Sequence, residues 1–191
     1  MARNKEFDVA ERLGKAKDLF WEKGYNATSM QDLVNVMELN PGSIYGTFGG
    51  KHQLFIESLK LYSKQTLDAY ENAAAKSGSP FGSVKAIIQK AIQRAFTENK
   101  SCMVVKTSFE LGSVDIDAHQ LLKQQILELI AFLEKLLKLG QDAGEINPDK
   151  DAKVMATFIV GNFAGFWQMQ VLLDDKELGV ATSNFLIESL K

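Results

Sequence analysis

Thr28-Ser-Met-Gln-Asp-Leu-Val-Asn-Val-Met-Glu-Leu-Asn40-Pro-Gly-Ser-Ile-Tyr-Gly-Thr-Phe48 is the most informative stretch of the chain. Thr28 or Ser29 can cap a short helix in which Met30, Leu33, Val34 and Met37 recur at helical spacing. Pro41 suits the first turn of a second helix, where its fixed φ fits and its missing N–H is no loss. That helix should end near Phe48. Two short helices joined by about four residues match a helix-turn-helix. The turn, Val36-Met37-Glu38-Leu39, contains no glycine. The second helix is rich in small or polar residues: Asn40, Gly42, Ser43, Gly46 and Thr47. Such residues let a helix N-terminus, with its unpaired N–H groups, come close to phosphate oxygens. Ile44 and Phe48 should face inward, while Tyr45 and Lys51 can offer a hydroxyl and an ammonium to a nucleic-acid backbone. The same pattern also describes a generic helical hairpin, in which Tyr45 simply packs. Ser43, Gly46 and Thr47 are poor core neighbours, so an exposed Tyr45 is the better reading.

On either side of this segment the pattern is helical. Asp8 can cap a first helix with Val9, Leu13, Ala16 and Phe20 on one face and Gly24 as its stop. A long fourth helix should run from Lys51 to about Ala75, on Phe55, Leu59, Tyr62, Thr66 and Ala69. Ser77-Gly78-Ser79-Pro80 and Glu145-Ile146-Asn147-Pro148 read as loops. Between them, Val84–Phe96 reads as a fifth helix and Ser101–Leu111 as a sixth. A regular seventh places Leu122, Ile126, Leu129, Leu133, Leu136 and Gly140 on one stripe. An eighth is expected over about Asp149–Leu173. A ninth follows over about Lys176–Leu190, with Leu178, Ala181, Phe185 and Leu186 on its inner face. No repeat, low-complexity tract or long strand pattern interrupts this order. The expected fold is all-α: a three-helix helix-turn-helix head over 1–50 and a helical bundle over 51–191, about nine helices in all. The eighth helix is apolar on nearly every side, so it must lie centrally or be covered by a second chain.

Composition bounds the function. The 191 residues carry a formal charge of −2, which on its own argues against a nucleic-acid binder. The first 63 residues hold eight Lys/Arg against eight Asp/Glu. Any DNA contact must therefore come from a few placed donors rather than a basic field. No apolar run approaches the ~18 residues of a membrane span. Met1-Ala-Arg-Asn-Lys-Glu6 lacks the apolar stretch of a signal peptide. Cys102, the sole cysteine, allows no intrachain disulfide, which fits the cytoplasm.

Phe20-Trp-Glu-Lys-Gly-Tyr-Asn-Ala-Thr-Ser29 and Gly42-Ser-Ile-Tyr-Gly-Thr-Phe-Gly-Gly-Lys-His-Gln-Leu-Phe55 resemble the N-terminal signature of the TetR/AcrR family. In that family the third helix reads the operator, typically as Gly-Ser/Thr-Leu/Ile-Tyr-x-x-Phe, and a Lys opens the fourth helix. The likeness covers about residues 8–62; the remainder matches in helix count and length. It departs in the turn, which in the family usually contains Gly: here Val36-Met37-Glu38-Leu39 puts Glu38 at the position that favours a left-handed backbone, at a cost of order 1 kcal/mol or more. Carried over by position, it implicates Thr28, Ser29, Asn40, Pro41, Ser43, Tyr45, Thr47 and Lys51 in DNA contact. It implies a homodimeric repressor of a double-stranded, palindromic operator. It also implies a small-molecule effector that binds among helices four to eight and shifts the fourth. The lining suggested for that effector is Thr107, Phe109, Phe158, Asn162, Phe166, Trp167 and Gln168, which suits a hydrophobic or aromatic molecule. Equally, these aromatics can be solid core.

Other constellations are weaker. Asp115-Ile-Asp-Ala-His119 could suggest a metal, but one of the acids reads better as a helix N-cap, and His52 is assigned to the other domain. Cys102 next to Met103-Val-Val reads as a small core residue, with a redox or electrophile sensor as the alternative. No phosphate loop, nucleophile triad or Glu-x-x-His pair supports an enzyme, and no cofactor is implied. A helical dimer that has lost its operator is the remaining alternative; the presence of Tyr45 and Lys51 favours a working DNA binder.

Overall fold

The computed structural model describes residues 7–98 and 100–191; the N-terminal hexapeptide read against a signal peptide lies outside them. Nine helices and no strand occur among the described residues. They are α1 (Val9–Lys23), α2 (Met30–Met37), α3 (Pro41–Phe48), α4 (Lys51–Ala75), α5 (Pro80–Thr97), α6 (Met103–Glu110), α7 (Ile116–Asp142), α8 (Ala152–Leu173) and α9 (Lys176–Glu188). The all-α expectation holds, with local adjustments at helix ends. Ser79 caps α5 by accepting from the Gly82 amide, and Pro80 takes the first helical position. The helix thus starts inside the stretch read as a loop, because proline is favourable at a helix start. Asp151 caps α8 through the Val154 amide, so that helix begins at Ala152 rather than Asp149.

The chain forms two compact units. The first holds residues 1–64 and 103–121, the second 65–102 and 122–191. The boundary expected at residue 50 falls inside the first unit, because residues 51–64 of α4, all of α6 and residues 116–121 of α7 group with the head. In this unit α1 packs on α2, and α2 on α3. Ala16, Phe20, Leu33, Met37, Ile44 and Phe48 are buried there, with Phe20 meeting Phe55 edge-on at 5.1 Å between centroids.

In the second unit α5 packs against α8 and α9, and α8 against α9. One face of α8 is buried: Ala152, Met155, Ala156, Ile159, Phe163, Phe166 and Trp167. The opposite face exposes Val154, Phe158, Gly161, Gln168 and Leu172. The all-round apolar character therefore separates into an inner face and an outer one. On α9 the inner face is Gly179, Ser183, Leu186 and Ile187. Leu178, Ala181 and Phe185, expected inside, point outward instead. The stripe on α7 also turns: Leu122, Ile130, Leu133, Leu137 and Gly140 are buried, while Ile126 is exposed and Leu129 and Leu136 are half-buried. Leucines and isoleucines at 129/130 and 136/137 offer two nearly equivalent stripes, and only packing partners choose between them.

Candidate nucleic-acid interface

The N-terminus of α2 is closed by a capping box. Ser29 Oγ accepts from the Asp32 amide at 3.0 Å, and Asp32 Oδ2 accepts from the Ser29 amide at 2.9 Å. Lys23 reaches the other Asp32 oxygen at 2.9 Å. The Ser29 amide foremost, then Lys23, lowers the Asp32 carboxyl to about 2. At the far end Glu38 is left-handed, φ 53°, as its place in the turn suggests. Its carboxylate accepts from Arg12 at 2.6 Å and lies 3.3 Å from Lys15, which ties the turn to α1.

Asn40 then caps α3, its Oδ1 accepting from the Ser43 amide at 2.8 Å, and Pro41 occupies the first turn. Ile44 and Phe48 are buried and fix the helix on its scaffold. The outward face carries Asn40, Pro41, Gly42, Tyr45 and Gly46, with Ser43 and Thr47 at its half-buried margin. Tyr45 is 58 % exposed. The helix ends on two glycines, Gly49 at φ 78° and Gly50 at φ 108°. A Cβ on Gly50 would meet the Tyr45 ring at 3.0 Å. The bare Cα of Gly50 is therefore the seat on which that ring lies. One residue on, Lys51 opens α4 with its Nζ 4.3 Å from the centre of the Tyr25 ring. The result is a short helix that presents small polar groups, a phenol and an ammonium on one side, held by two buried anchors on the other.

This arrangement sits within two family matches. Residues 13–57 match the model described as bacterial regulatory proteins, tetR family. Residues 80–184 match the model described as tetracyclin repressor-like, C-terminal domain. The chain belongs to the TetR family. Among its relatives is the uncharacterized HTH-type transcriptional regulator YezE of Bacillus subtilis, 31% identical over 83% of this chain and 84% of that one. The HTH-type transcriptional repressor ComR of Escherichia coli is 29% identical over 82% and 76%. In fold it resembles the TetR family transcriptional regulator CifR, a cysteine mutant of which is solved with a 26bp double-strand operator DNA, at TM-score 0.86 and 24% identity over 100% of both chains.

Within this TetR-family chain most residues expected at the DNA face lie on or beside α3, but Thr28 does not behave as expected. It is 1 % exposed, and its hydroxyl donates to the Gly24 carbonyl at 2.6 Å. A side chain so committed ties α1 to the start of α2 and has no free group for a phosphate. Ser29 is exposed, yet its hydroxyl is held in the capping box.

The residues expected to line an effector site divide between the two units. Thr107 and Phe109 belong to the first unit, the other five to the second. Thr107 is buried and Phe109 is 85 % exposed. On α8, Phe158 and Gln168 are exposed on the outer face, whereas Phe166 and Trp167 are buried. Asn162 donates to the Phe158 carbonyl of its own helix at 2.9 Å. Within the second unit Tyr70, Phe163 and Phe166 lie together, with Tyr70 and Phe163 centroids 5.7 Å apart.

Asp115, His52 and Tyr25 also have a structural claim on the head. Asp115 caps α7 through the Ala118 amide, as the N-cap reading required. Its second oxygen lies 2.8 Å from His52 Nε2, so His52 is not in a separate domain from this acid. The Ala118 amide first, and then His52, holds the Asp115 carboxyl below its ordinary value. Tyr25, which packs edge-on to Phe55, is raised by burial and then by Asp115, so its phenol stays neutral. Only tertiary contact could reveal these pairs, since 63 residues separate His52 from Asp115.

Proposed function

We propose that this TetR-family regulator is a homodimeric repressor that binds a near-palindromic operator through α3 and leaves it when a small hydrophobic or aromatic effector binds. The observation that carries DNA recognition is the polarity of α3: buried Ile44 and Phe48 behind, exposed Tyr45 and small polar residues in front. Ser29, Asn40, Pro41, Ser43, Tyr45, Thr47 and Lys51 form the contact set. Lys51 and Tyr45 serve the phosphates, and Ser43 and Thr47 the base edges. Dimerisation is supported by the outer faces of α8 and α9. Val154, Phe158, Leu172, Leu178 and Phe185 leave an apolar surface there that a monomer would expose to water. A stable twofold interface should bury more than ~1,000 Å², and two heads related by that axis call for paired half-sites.

The effector class is supported by the aromatic interior of the second unit, Tyr70, Phe163, Phe166 and Trp167. An effector need only favour the DNA-incompetent state; a loss of operator affinity of about 100-fold takes about 2.7 kcal/mol of coupling. Selection of duplexes from a random pool by the full-length protein tests the first half of the reading. Enrichment of a near-palindrome whose binding weakens steeply with salt is expected. Failure to enrich any sequence would rule out operator recognition. Apolar ligands that raise the melting temperature and release the selected duplex would establish the second half.

A further inference from the structure

We infer that Glu110, on α6, is a positioning residue for DNA binding: it grips the α1–α2 connection and thereby sets Tyr25, on which the phosphate-directed Lys51 rests. Its carboxylate accepts from two successive backbone amides, Tyr25 at 3.0 Å through Oε2 and Asn26 at 2.6 Å through Oε1. Consecutive N–H groups that converge on one anion form a nest, and a carboxylate with an oxygen for each is its natural occupant. Gly24 makes the seat possible: its φ is 85°, and a Cβ there would stand 2.8 Å from Oε2. One turn earlier on α6, Lys106 donates to the Glu22 carbonyl at 2.7 Å. An anion on the free amides and a cation on an α1 carbonyl thus hold the same junction from one helix, each matched to the backbone group it meets.

The junction leads directly to the DNA face. Tyr25 follows Gly24, its ring packs on Phe20 and Phe55, and Lys51 Nζ lies 4.3 Å over it. If the nest empties, Tyr25 loses the bond that fixes its backbone and Lys51 loses its platform. This inference builds on the DNA-binding reading, and one feature separates it from plain electrostatics. Glu110 carries a negative charge in the DNA-reading unit, so its removal should strengthen attraction to DNA if charge alone mattered. Positioning predicts the reverse.

The test uses the full-length protein and a duplex selected by it from a random pool. Glu110→Gln keeps the shape but offers one acceptor oxygen to two amides. It should weaken binding roughly three- to tenfold and lower the slope of log affinity against log salt by about 1, the share of one phosphate contact. In a Lys51→Ala background the same change should cost nothing further, since the two act as one unit. Amide exchange at Tyr25 and Asn26, followed residue by residue, should quicken by about tenfold or more while α2 and α3 keep their protection. Equal or tighter binding by Glu110→Gln with an unchanged salt slope would overturn the inference, as would unchanged exchange at those two amides. If the wild-type protein selects no duplex, the DNA-binding reading fails, and amide exchange alone still decides whether Glu110 holds the junction.

Discussion

At the residue scale the head is held by charges placed on backbone groups, and these make sharp predictions. The folded form lowers Asp32 from 3.8 to about 2, so it holds a proton more weakly than the unfolded chain does. The stabilisation it gives is therefore complete above the ordinary carboxylate value and is lost as pH falls toward about 2. Asp32→Asn should be less stable than the parent at neutral pH and converge with it near that acid limit, as urea melts across pH would read. For DNA, Lys51→Ala and Tyr45→Phe should weaken binding to all sequences alike, and Lys51→Ala should lower the salt slope by about 1. Ser43→Ala and Thr47→Ala should instead change which base is preferred at one position of each half-site. Competition between the selected duplex and its single-base variants would separate the two classes. Retention of wild-type affinity in both Lys51→Ala and Tyr45→Phe would remove them from the contact set.

At the scale of the element, the joint between α3 and α4 matters most. Gly49 and Gly50 both take positive φ, and the bare Cα of Gly50 seats the Tyr45 ring. Gly50→Ala adds a methyl group where the backbone is strained for any side chain and pushes on that ring. It should cost about 1 kcal/mol or more in stability and weaken operator binding beyond the effect of Tyr45→Phe. Chemical denaturation and gel-shift titration of one protein preparation would check both. The other turn behaves differently. Glu38 bears the left-handed conformation itself, offset by Arg12 and Lys15. Glu38→Gly should raise the melting temperature at high salt, where the exposed pairs are screened and the backbone term remains. A fall at every salt concentration would show the ion pairs to be the larger effect.

At the scale of the whole molecule, the second unit leaves apolar residues on α8 and α9 facing out. Phe185 is 78 % exposed and Phe158 55 %. Both side chains lie mostly outside the packing of their own chain, so charge placed there should act chiefly on association. Phe158→Glu together with Phe185→Glu should give a folded monomer of unchanged helix content in sedimentation and circular dichroism. That monomer should bind a full operator far more weakly than the parent, because the second head no longer adds its contacts. A variant that remains dimeric at micromolar concentration would show that α8 and α9 pair through other residues or not at all.

Legible along the chain were the helix order, a cap at Asp8 and one at Thr28 or Ser29, the left-handed place of Glu38 and the inward pair Ile44 and Phe48. All of these rest on interactions within a few residues along the chain, where spacing and local backbone chemistry suffice. The candidate face of Asn40, Pro41, Ser43, Tyr45, Thr47 and Lys51 rests on the family resemblance carried over by position, and the small polar residues around Tyr45 point the same way. Tertiary structure decided what spacing leaves degenerate. It chose between two stripes of α7, turned Phe185 and Leu178 outward, buried Thr28, and parted the aromatics of α8 into an inner and an outer face. It also brought Glu110 to Tyr25 and Asp115 to His52 across 85 and 63 residues. No local rule carries that information: a carboxylate on an exposed helix reads as solvated until the backbone amides that it binds arrive from elsewhere in the chain.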